Sequence, residues 1–253
     1  MKLTREEKNW ILYDVGNSAF VLLISTILPI YFNYLAQGAG LTDAQYLAYW
    51  GYAASIATII VAIMGPVMGT MADMKGVKKI LFTVTMIVGA AGCILLGFAR
   101  QWFVFLVIYI ISKVGFSSSL IFYDAMLTDV TEDERMDEVS SYGYAWGYIG
   151  SCIPFVVSLL LVLGAEVIGL TMEQAMMISF AIVAVWWFVM TLPLLKTYRQ
   201  KHYVEKKPHA VRNGFSRIGK TLANAKKEKK VFLFLIAFFF YIDGVYTIID
   251  MAT

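Results

Sequence analysis

Seven long apolar stretches divide the chain, and each is long enough to cross a lipid bilayer as a helix. A helical span needs roughly 20 apolar residues, because the hydrocarbon core is about 30 Å thick and a helix rises about 1.5 Å per residue. With 59% hydrophobic residues, the chain carries more apolar surface than a soluble domain can bury. The sequence therefore predicts an all-α polytopic membrane protein with spans at about residues 11–36, 45–72, 80–98, 102–127, 140–164, 175–195 and 231–250.

The basic residues give these spans an orientation. If the N-terminus is cytoplasmic, 19 of the 21 lysines and arginines fall on the cytoplasmic side, while Arg100 lies outside and Lys113 lies within the fourth span. Basic residues accumulate on the cytoplasmic side of membrane proteins. We therefore expect a multi-pass protein of the cell membrane with a cytoplasmic N-terminus. No aromatic-rich basic groove accompanies these charges, so the expected partners are the lipid bilayer and a small-molecule substrate, and not nucleic acid.

An eleven-residue turn, Gly69-Thr-Met-Ala-Asp73-Met-Lys75-Gly76-Val-Lys78-Lys79, joins the second and third stretches. Its lysines indicate the cytoplasmic side. Gly76 suits the left-handed backbone of a tight reversal, and Asp73 is expected near a helix N-terminus, where a negative charge is favoured. An ordinary basic turn between two helices would share these features.

The spacing of this turn resembles the signature between the second and third helices of major facilitator superfamily transporters. In that superfamily the signature helps to latch the two halves of the transporter together on the cytoplasmic side. The resemblance implies a gating role for Gly69, Asp73, Gly76, Lys78 and Lys79. The chain departs from the signature in two ways: Met74 stands where the family has Arg or Lys, and the basic pair is displaced by one residue.

The first span carries a polar stripe near its cytoplasmic end. Asp14, Asn17 and Ser18 are spaced so that a helix brings all three onto one face. Polar groups are costly against lipid, so this stripe is expected to face protein or a water-filled cavity. The alternative is that Asp14 simply lies at the membrane interface.

Two ionisable residues are predicted near the bilayer centre. Lys113 lies about eleven residues, or roughly 16 Å, from the outer end of the fourth span, and Asp243 lies at a similar depth in the seventh. We expect these two to form a charge pair or to bind a zwitterionic substrate jointly. Snorkelling of Lys113 to an interface is the alternative. Asp124 lies about 16 Å from Lys113 along the same helix and cannot pair with it. Asp14 and Asp124 lie near the cytoplasmic mouth and are candidate proton carriers.

Glycines at helical spacing predict a close helix contact in the fifth span. These are Gly143, Gly147 and Gly150. The segment that contains them and two others are similar to the vacuole-effluxer-like branch of the facilitators, which includes fungal vacuolar amino-acid effluxers and bacterial permeases. The three matching segments are residues 12–20, 122–151 and 240–248.

This resemblance implies an architecture and a function. The implied units are a six-helix transmembrane bundle over residues 1–195, a basic cytoplasmic inter-bundle loop over 196–230, and at 231–253 the seventh transmembrane helix, the first of a second bundle. The chain is therefore expected to be incomplete, and spans 1, 4 and 7 are expected to line a central cavity. The implied function is secondary active transport by alternating access: a permease that moves or effluxes a small solute, such as an amino acid, and is coupled to protons.

Other functions remain open from the sequence alone. The chain could be a non-transporting membrane fragment or receptor-like protein, or a half-transporter whose C-terminal half is another chain. An enzyme is not expected, because the sequence has no His-Glu-x-x-His or Gly-x-Ser-x-Gly motif and both histidines, His202 and His209, lie in the basic loop. No catalytic residue, metal or cofactor is predicted. In the same loop, Phe215, Ile218 and Leu222 share a helical face, which predicts either an amphipathic helix on the membrane surface or a solvated linker.

Overall fold

The computed structural model describes residues 2–204 and 228–251. Six helices in these ranges are long and apolar enough to cross a membrane, and they follow the first six apolar stretches. A further helix covers the seventh stretch. The predicted all-α polytopic class is confirmed. We number the helices α1 to α7: Arg5–Gly38, Asp43–Ala72, Lys78–Leu96, Trp102–Val130, Met136–Leu163, Met172–Thr197 and Lys229–Met251.

Three of these helices begin with a reciprocal cap. The Thr4 hydroxyl accepts a hydrogen bond from the backbone N–H of Glu7, and the Glu7 side chain accepts one from the backbone N–H of Thr4. Such a box satisfies N–H groups that every helix start leaves without a partner. The same arrangement begins α2 and α6, with the pairs Thr42–Gln45 and Thr171–Gln174.

One helix, α1, is irregular near its middle. Residues Leu23–Ile27 form a π-helical turn between two regular segments. The hydroxyls of Ser25 and Thr26 both donate to the carbonyl oxygen of Leu22, where they compete with the backbone for that acceptor. The seventh helix, α7, contacts α1 at this turn.

The six-helix bundle is organised around α1. This helix packs along α5 and α6, α4 packs along α2 and α3, and a contact between α3 and α6 joins the two groups. Glycines allow the closest approaches: a Cβ atom added to Gly115 of α4 would lie 2.5 Å from the backbone nitrogen of Gly89 in α3. One added to Gly150 of α5 would overlap Val15 of α1. The predicted close contact of the fifth span is confirmed, and its partner is α1.

Large apolar side chains lie on the outside of the bundle as well as inside it. Tyr13, Phe20 and Trp187 are fully buried, whereas Ile59 and Ile63 of α2 are exposed along with many similar residues on the other helices. A protein in water does not present so extensive an apolar surface. The bundle is therefore a multi-pass membrane protein whose outer surface faces lipid.

The helices extend beyond the apolar stretches at their polar ends. Lys78 and Lys79 belong to the first turn of α3 and not to the turn before it. Asp73 ends α2 as its C-cap residue, so its backbone belongs to a helix C-terminus and the expected N-terminal position is wrong. On the next connection, α4 continues to Val130 and α5 begins at Met136, which leaves only a short turn between them.

The basic loop after α6 is described only in part. Residues 205–227, which include the predicted amphipathic helix with Phe215, Ile218 and Leu222, lie outside the described residues, as does His209. The preceding segment, residues 198–204, returns to the helix bundle and contacts the turn between α2 and α3.

Candidate functional site

The polar stripe of α1 faces α5. Asp14 is only 9% exposed, and its Oδ1 accepts a hydrogen bond of 3.2 Å from Nδ2 of Asn17. A Cβ atom added to Gly143 would lie 3.2 Å from Oδ2 of Asp14, and one added to Gly147 would lie 2.9 Å from the Ser18 hydroxyl oxygen. The glycines thus leave room for the polar groups of α1, and the stripe faces protein, as expected.

An aromatic cluster adjoins Asp14 on the side of α4. The indole of Trp10 donates to the backbone oxygen of Tyr123 at 3.1 Å and stacks on its ring at 4.2 Å between centroids. Tyr13 packs on Tyr123 at 4.5 Å and hydrogen-bonds Ser119 at 2.6 Å. These contacts join the N-terminal half of α1 to α4 and hold the Tyr123 ring in place.

The Tyr123 hydroxyl points into the same space as Asp14. It is buried and makes no hydrogen bond to any residue that the structure describes. Its oxygen would lie 3.5 Å from a Cβ atom on Gly143, the position that Oδ2 of Asp14 also approaches. A carboxylate oxygen and an unbonded phenol hydroxyl therefore converge on one glycine of α5.

Asp124 lies beside this cluster on α4. Its side chain is exposed, in contrast to that of Asp14, and it directly follows Tyr123 in the chain. Asp124 is six residues from the end of α4, which places it about 9 Å from that helix end. The structure thus brings the predicted residues Asp14, Asn17, Ser18 and Asp124 into one region, which we call the inner cluster together with Tyr123.

Lys113 does not belong to the inner cluster. It lies eleven residues before Asp124 on α4, about 16 Å along the helix axis. It is half-buried, and its Nζ lies 5.7 Å from the centre of the Tyr109 ring, which is within cation–π range. Asp243 lies in α7, but its side chain is outside the described residues, so the expected partnership with Lys113 stays a prediction.

The turn between α2 and α3 is held by the segment that follows α6. Gly76 has a φ of +74°, as predicted for a reversal there, and its backbone N–H donates to Oε1 of Gln200 at 2.9 Å. The Val204 N–H donates to the carbonyl of Asp73 at 2.7 Å, while the carboxylate of Asp73 is exposed. Gly69 lies on α2, seven residues before Gly76, and is half-exposed. A Cβ atom added to Gly69 would meet no heavy atom of the described residues within 4 Å.

Lys78 reaches inward to a residue that the sequence analysis did not select. Its ammonium group is 2.8 Å from Oδ2 of Asp129 and 2.8 Å from the carbonyl oxygen of Ala125, both on α4. Lys78 is 3% exposed and Asp129 is 1% exposed, so this is a buried ion pair. Lys79, the next residue, is half-exposed and forms no ion pair within the described ranges.

Asp129 receives hydrogen bonds from two other parts of the chain, α3 and the segment that follows α6. Besides Lys78, its carboxylate accepts from the Tyr198 hydroxyl at 2.5 Å and from the backbone N–H groups of Lys201 and His202 at 3.0 and 2.7 Å. Burial and the neighbouring Asp129 charge both raise the pKa of Tyr198, so its hydroxyl stays protonated and donates. We call these residues the Asp129 network; it ties α3, α4 and the segment after α6 together.

A second buried carboxylate, Glu7, fixes the start of α1 at the same end of the bundle. Its Oε1 lies 2.9 Å from Nη1 of Arg135 and accepts from the Thr131 hydroxyl at 2.7 Å. An exposed ion pair of 3.2 Å between Glu6 and Lys201 connects the start of α1 to the segment after α6. Lys78 at the start of α3, Arg135 at the start of α5 and Lys201 after α6 thus make their ion pairs at the same end of the bundle, which we call the basic end.

A metal site is not apparent in this arrangement. Within residues 2–204 and 228–251, no group of three or more histidine, cysteine, aspartate or glutamate side chains is placed to hold a metal ion. Among the described residues, the polar groups of the bundle interior are carboxylates, hydroxyls, amides and the ammonium groups of Lys78 and Lys113. Such groups can bind protons, cations or a small polar solute.

Comparison with known proteins identifies a family. A profile described as "Vacuole effluxer Atg22 like" matches residues 3–136 and 128–253. The protein named "Uncharacterized MFS-type transporter YxiO" of Bacillus subtilis (strain 168) is 42% identical over 257 residues, which cover 100% of this chain and 60% of that protein. "Autophagy-related protein 22-1" of Penicillium rubens is 31% identical over 120 residues, or 44% of this chain and 20% of the fungal protein. The chain thus spans about three fifths of the length of its bacterial relative.

Proposed function

Because this chain belongs to the Atg22-like branch of the major facilitator superfamily, we propose that it acts in secondary active transport, moving a small solute across the membrane by alternating access. The bundle that α1 to α6 form supplies one wall of the pathway, and the remaining wall comes from residues that the relatives carry beyond the matched region or from a second chain. The expected solute is an amino acid, and the expected driving ion is the proton. The basic end is cytoplasmic in this proposal, as the distribution of lysine and arginine favours.

The inner cluster is the observation that carries the proposal. Asp14 is buried, receives one side-chain hydrogen bond from Asn17, and faces a Tyr123 hydroxyl that no described residue engages. A carboxylate in the membrane interior is costly unless a proton or a cation neutralises it. Asp124 lies exposed beside Asp14 and can pass a proton between Asp14 and the open side of α4.

The Asp129 network supports the alternating part of the mechanism. It closes the basic end by joining the first turn of α3, the end of α4 and residues 198–204 through one buried carboxylate. For that end to open, all of these hydrogen bonds to Asp129 would have to break at the same time. The gating role that the family resemblance implies for Gly76, Lys78 and Asp73 is therefore extended to Asp129 and Tyr198.

Lys113 is proposed to bind the carboxylate of the solute. It lies about 16 Å from the inner cluster along α4, and its ammonium is held over Tyr109. Asp243 of α7 remains the proposed counter-charge or the group that binds the solute ammonium. This division assigns solute recognition to the bundle centre and proton handling to the inner cluster.

The test is transport by purified protein in liposomes, with the chain alone and with a second chain that supplies the unmatched part of the Bacillus relative. Labelled amino acids are offered with and without a pH gradient. We expect gradient-driven accumulation, at least tenfold lower in D14N and D124N and unchanged in D133N, which removes an exposed carboxylate at the same end. K113M should abolish binding as well as accumulation.

Each outcome separates the alternatives. Accumulation by the chain alone would favour assembly of copies into a pathway, whereas activity only with the second chain would favour a half-transporter. Normal accumulation by D14N and D124N would refute the proton role. If neither arrangement moves any of the offered solutes, the proposal fails in favour of the non-transporting or receptor-like alternative.

A further inference from the structure

A groove of about 400 Å³ opens on the outside of the bundle, between the first turns of α1 and the last turns of α6. None of its lining residues belongs to the inner cluster or to the Asp129 network, and neither part of the proposed mechanism uses it. Arg5 and Lys196 line the groove, one from each helix. Both side chains are exposed, and neither forms an ion pair with a residue in the described part of the chain.

Neutral polar groups lie between these two cations. Nδ2 of Asn9 donates to the Thr197 hydroxyl oxygen at 3.0 Å, and that hydroxyl donates to the carbonyl of Pro193 at 2.9 Å. Asn9 is 9% exposed, so this bond joins α1 and α6 at the base of the groove and fixes the spacing of the two helices. The polar part of the groove thus has positive charge and hydrogen-bonding groups but no carboxylate among its lining residues.

The remaining lining residues, Val189, Leu192 and Pro193, are apolar. Val185, Val189, Leu192 and Lys196 follow one another at spacings of four, three and four residues, so they lie along one face of α6. Val185 and Val189 are 55% and 49% exposed. An apolar strip therefore leads from the membrane interior to the ammonium group of Lys196.

The length of this strip matches half a bilayer. Eleven residues separate Val185 from Lys196, which is about 16 Å along a helix, and the hydrocarbon core of one leaflet is about 15 Å thick. A soluble anion would use only the two cations, whereas a phospholipid can use the cations and the strip together. Basic pockets at the ends of membrane helices bind anionic headgroups.

We propose that this groove is a binding site for an anionic phospholipid, with its phosphate between Arg5 and Lys196 and an acyl chain along Val189 and Val185. The lipid joins the beginning of α1 to the end of α6, as the exposed Glu6–Lys201 ion pair joins the beginning of α1 to the segment after α6. Its binding does not depend on whether the protein transports a solute.

The test uses the full chain purified in a neutral detergent and titrated with phosphatidylglycerol in native mass spectrometry. Phosphatidylcholine, whose zwitterionic headgroup has no net charge, and glycerol phosphate, which has no acyl chain, serve as the comparisons. Each basic residue near an anionic headgroup contributes about a fivefold factor in affinity. We therefore expect R5Q/K196Q to bind phosphatidylglycerol about 25-fold more weakly, while K2Q/K8Q, which removes the same charge from the same end, binds like the wild type.

A second variant tests the apolar half without changing any charge. V189W fills the groove and should weaken phosphatidylglycerol about tenfold, equivalent to the loss of roughly two buried methylene groups. Melting without lipid should be the same for all variants, because Arg5, Lys196 and Val189 are exposed. The proposal is overturned if R5Q/K196Q binds like the wild type, if K2Q/K8Q loses as much affinity, if phosphatidylcholine binds equally well, or if glycerol phosphate binds as tightly as the lipid.

Discussion

Two buried aspartates show how differently one side chain can be used in the same bundle. Both oxygens of Asp129 are occupied, by the Lys78 ammonium, the Tyr198 hydroxyl and two backbone N–H groups. Asp14 receives one side-chain hydrogen bond, from Asn17, and faces a Tyr123 hydroxyl without a partner among the described residues. A fully bonded carboxylate holds structure in place, whereas a sparsely bonded one retains the capacity to take up a proton or a ligand.

The largest expected effect comes from removing the charge at the fully bonded site. D129N should lower the free energy of unfolding by about 3–5 kcal/mol, because it leaves the buried Lys78 ammonium without its counter-charge. The measurement is denaturation in detergent, by heat and by sodium dodecyl sulfate. D133N, which changes an exposed aspartate in the turn after α4, is the matched control and should change stability by less than about 0.5 kcal/mol.

The double variant K78M/D129N sharpens this result. With the ammonium group gone, part of the lost stability should return, while the Tyr198 hydroxyl, which loses the Oδ2 acceptor of Asp129, keeps the recovery incomplete. A double variant as unstable as D129N alone would show that the ion pair is not the source of the effect.

A smaller effect is expected at the contact between α1 and α5, the two helices that enclose the sparsely bonded Asp14. G150A places a methyl group against Val15 on α1 and should destabilise the bundle by about 2 kcal/mol through overpacking. G65A is the control, since a Cβ atom there meets only the Ile121 side chain, at 3.7 Å, and better helix propensity should make it neutral or slightly stabilising. Equal melting of the two variants would argue against a tight contact between α1 and α5.

The smallest change in stability is expected at Asp14 itself. D14N should change the free energy of unfolding by no more than about 1 kcal/mol. Removal of a buried charge is favourable, and this gain offsets any weakening of the one hydrogen bond that Asn17 donates to residue 14. Proton-driven transport should nevertheless fall at least tenfold. A loss of stability as large as that of D129N would remove the distinction between the two aspartates.

The sequence predicts the helices well because their apolar length leaves few other folds possible in a membrane. It also predicts the contact at Gly143, Gly147 and Gly150, since small residues at helical spacing permit close approach. The choice of α1 as their partner needs the three-dimensional arrangement.

Asp129 could not be selected from one sequence. It begins a run rich in acidic residues, and it is buried because Lys78 of α3 and residues 198–204 both contact its carboxylate, whereas Asp133 stays exposed. The available signal was its position between the apolar residues Leu127 and Val130, at the end of a span and not in the loop. Lys113 and Asp243 were selected by depth alone, and depth does not give helix rotation.

The π-helical turn at Leu23–Ile27 changes how α1 should be read along its length. A wide turn shifts the angular register of everything that follows it, so a helical wheel drawn through Asp14 and Ser18 does not continue to Tyr31. A mutational scan of α1 should therefore be plotted on two wheels that are out of phase. Since α7 rests against the joint between them, substitutions on the two wheels report on different neighbours even where their spacing in sequence is regular.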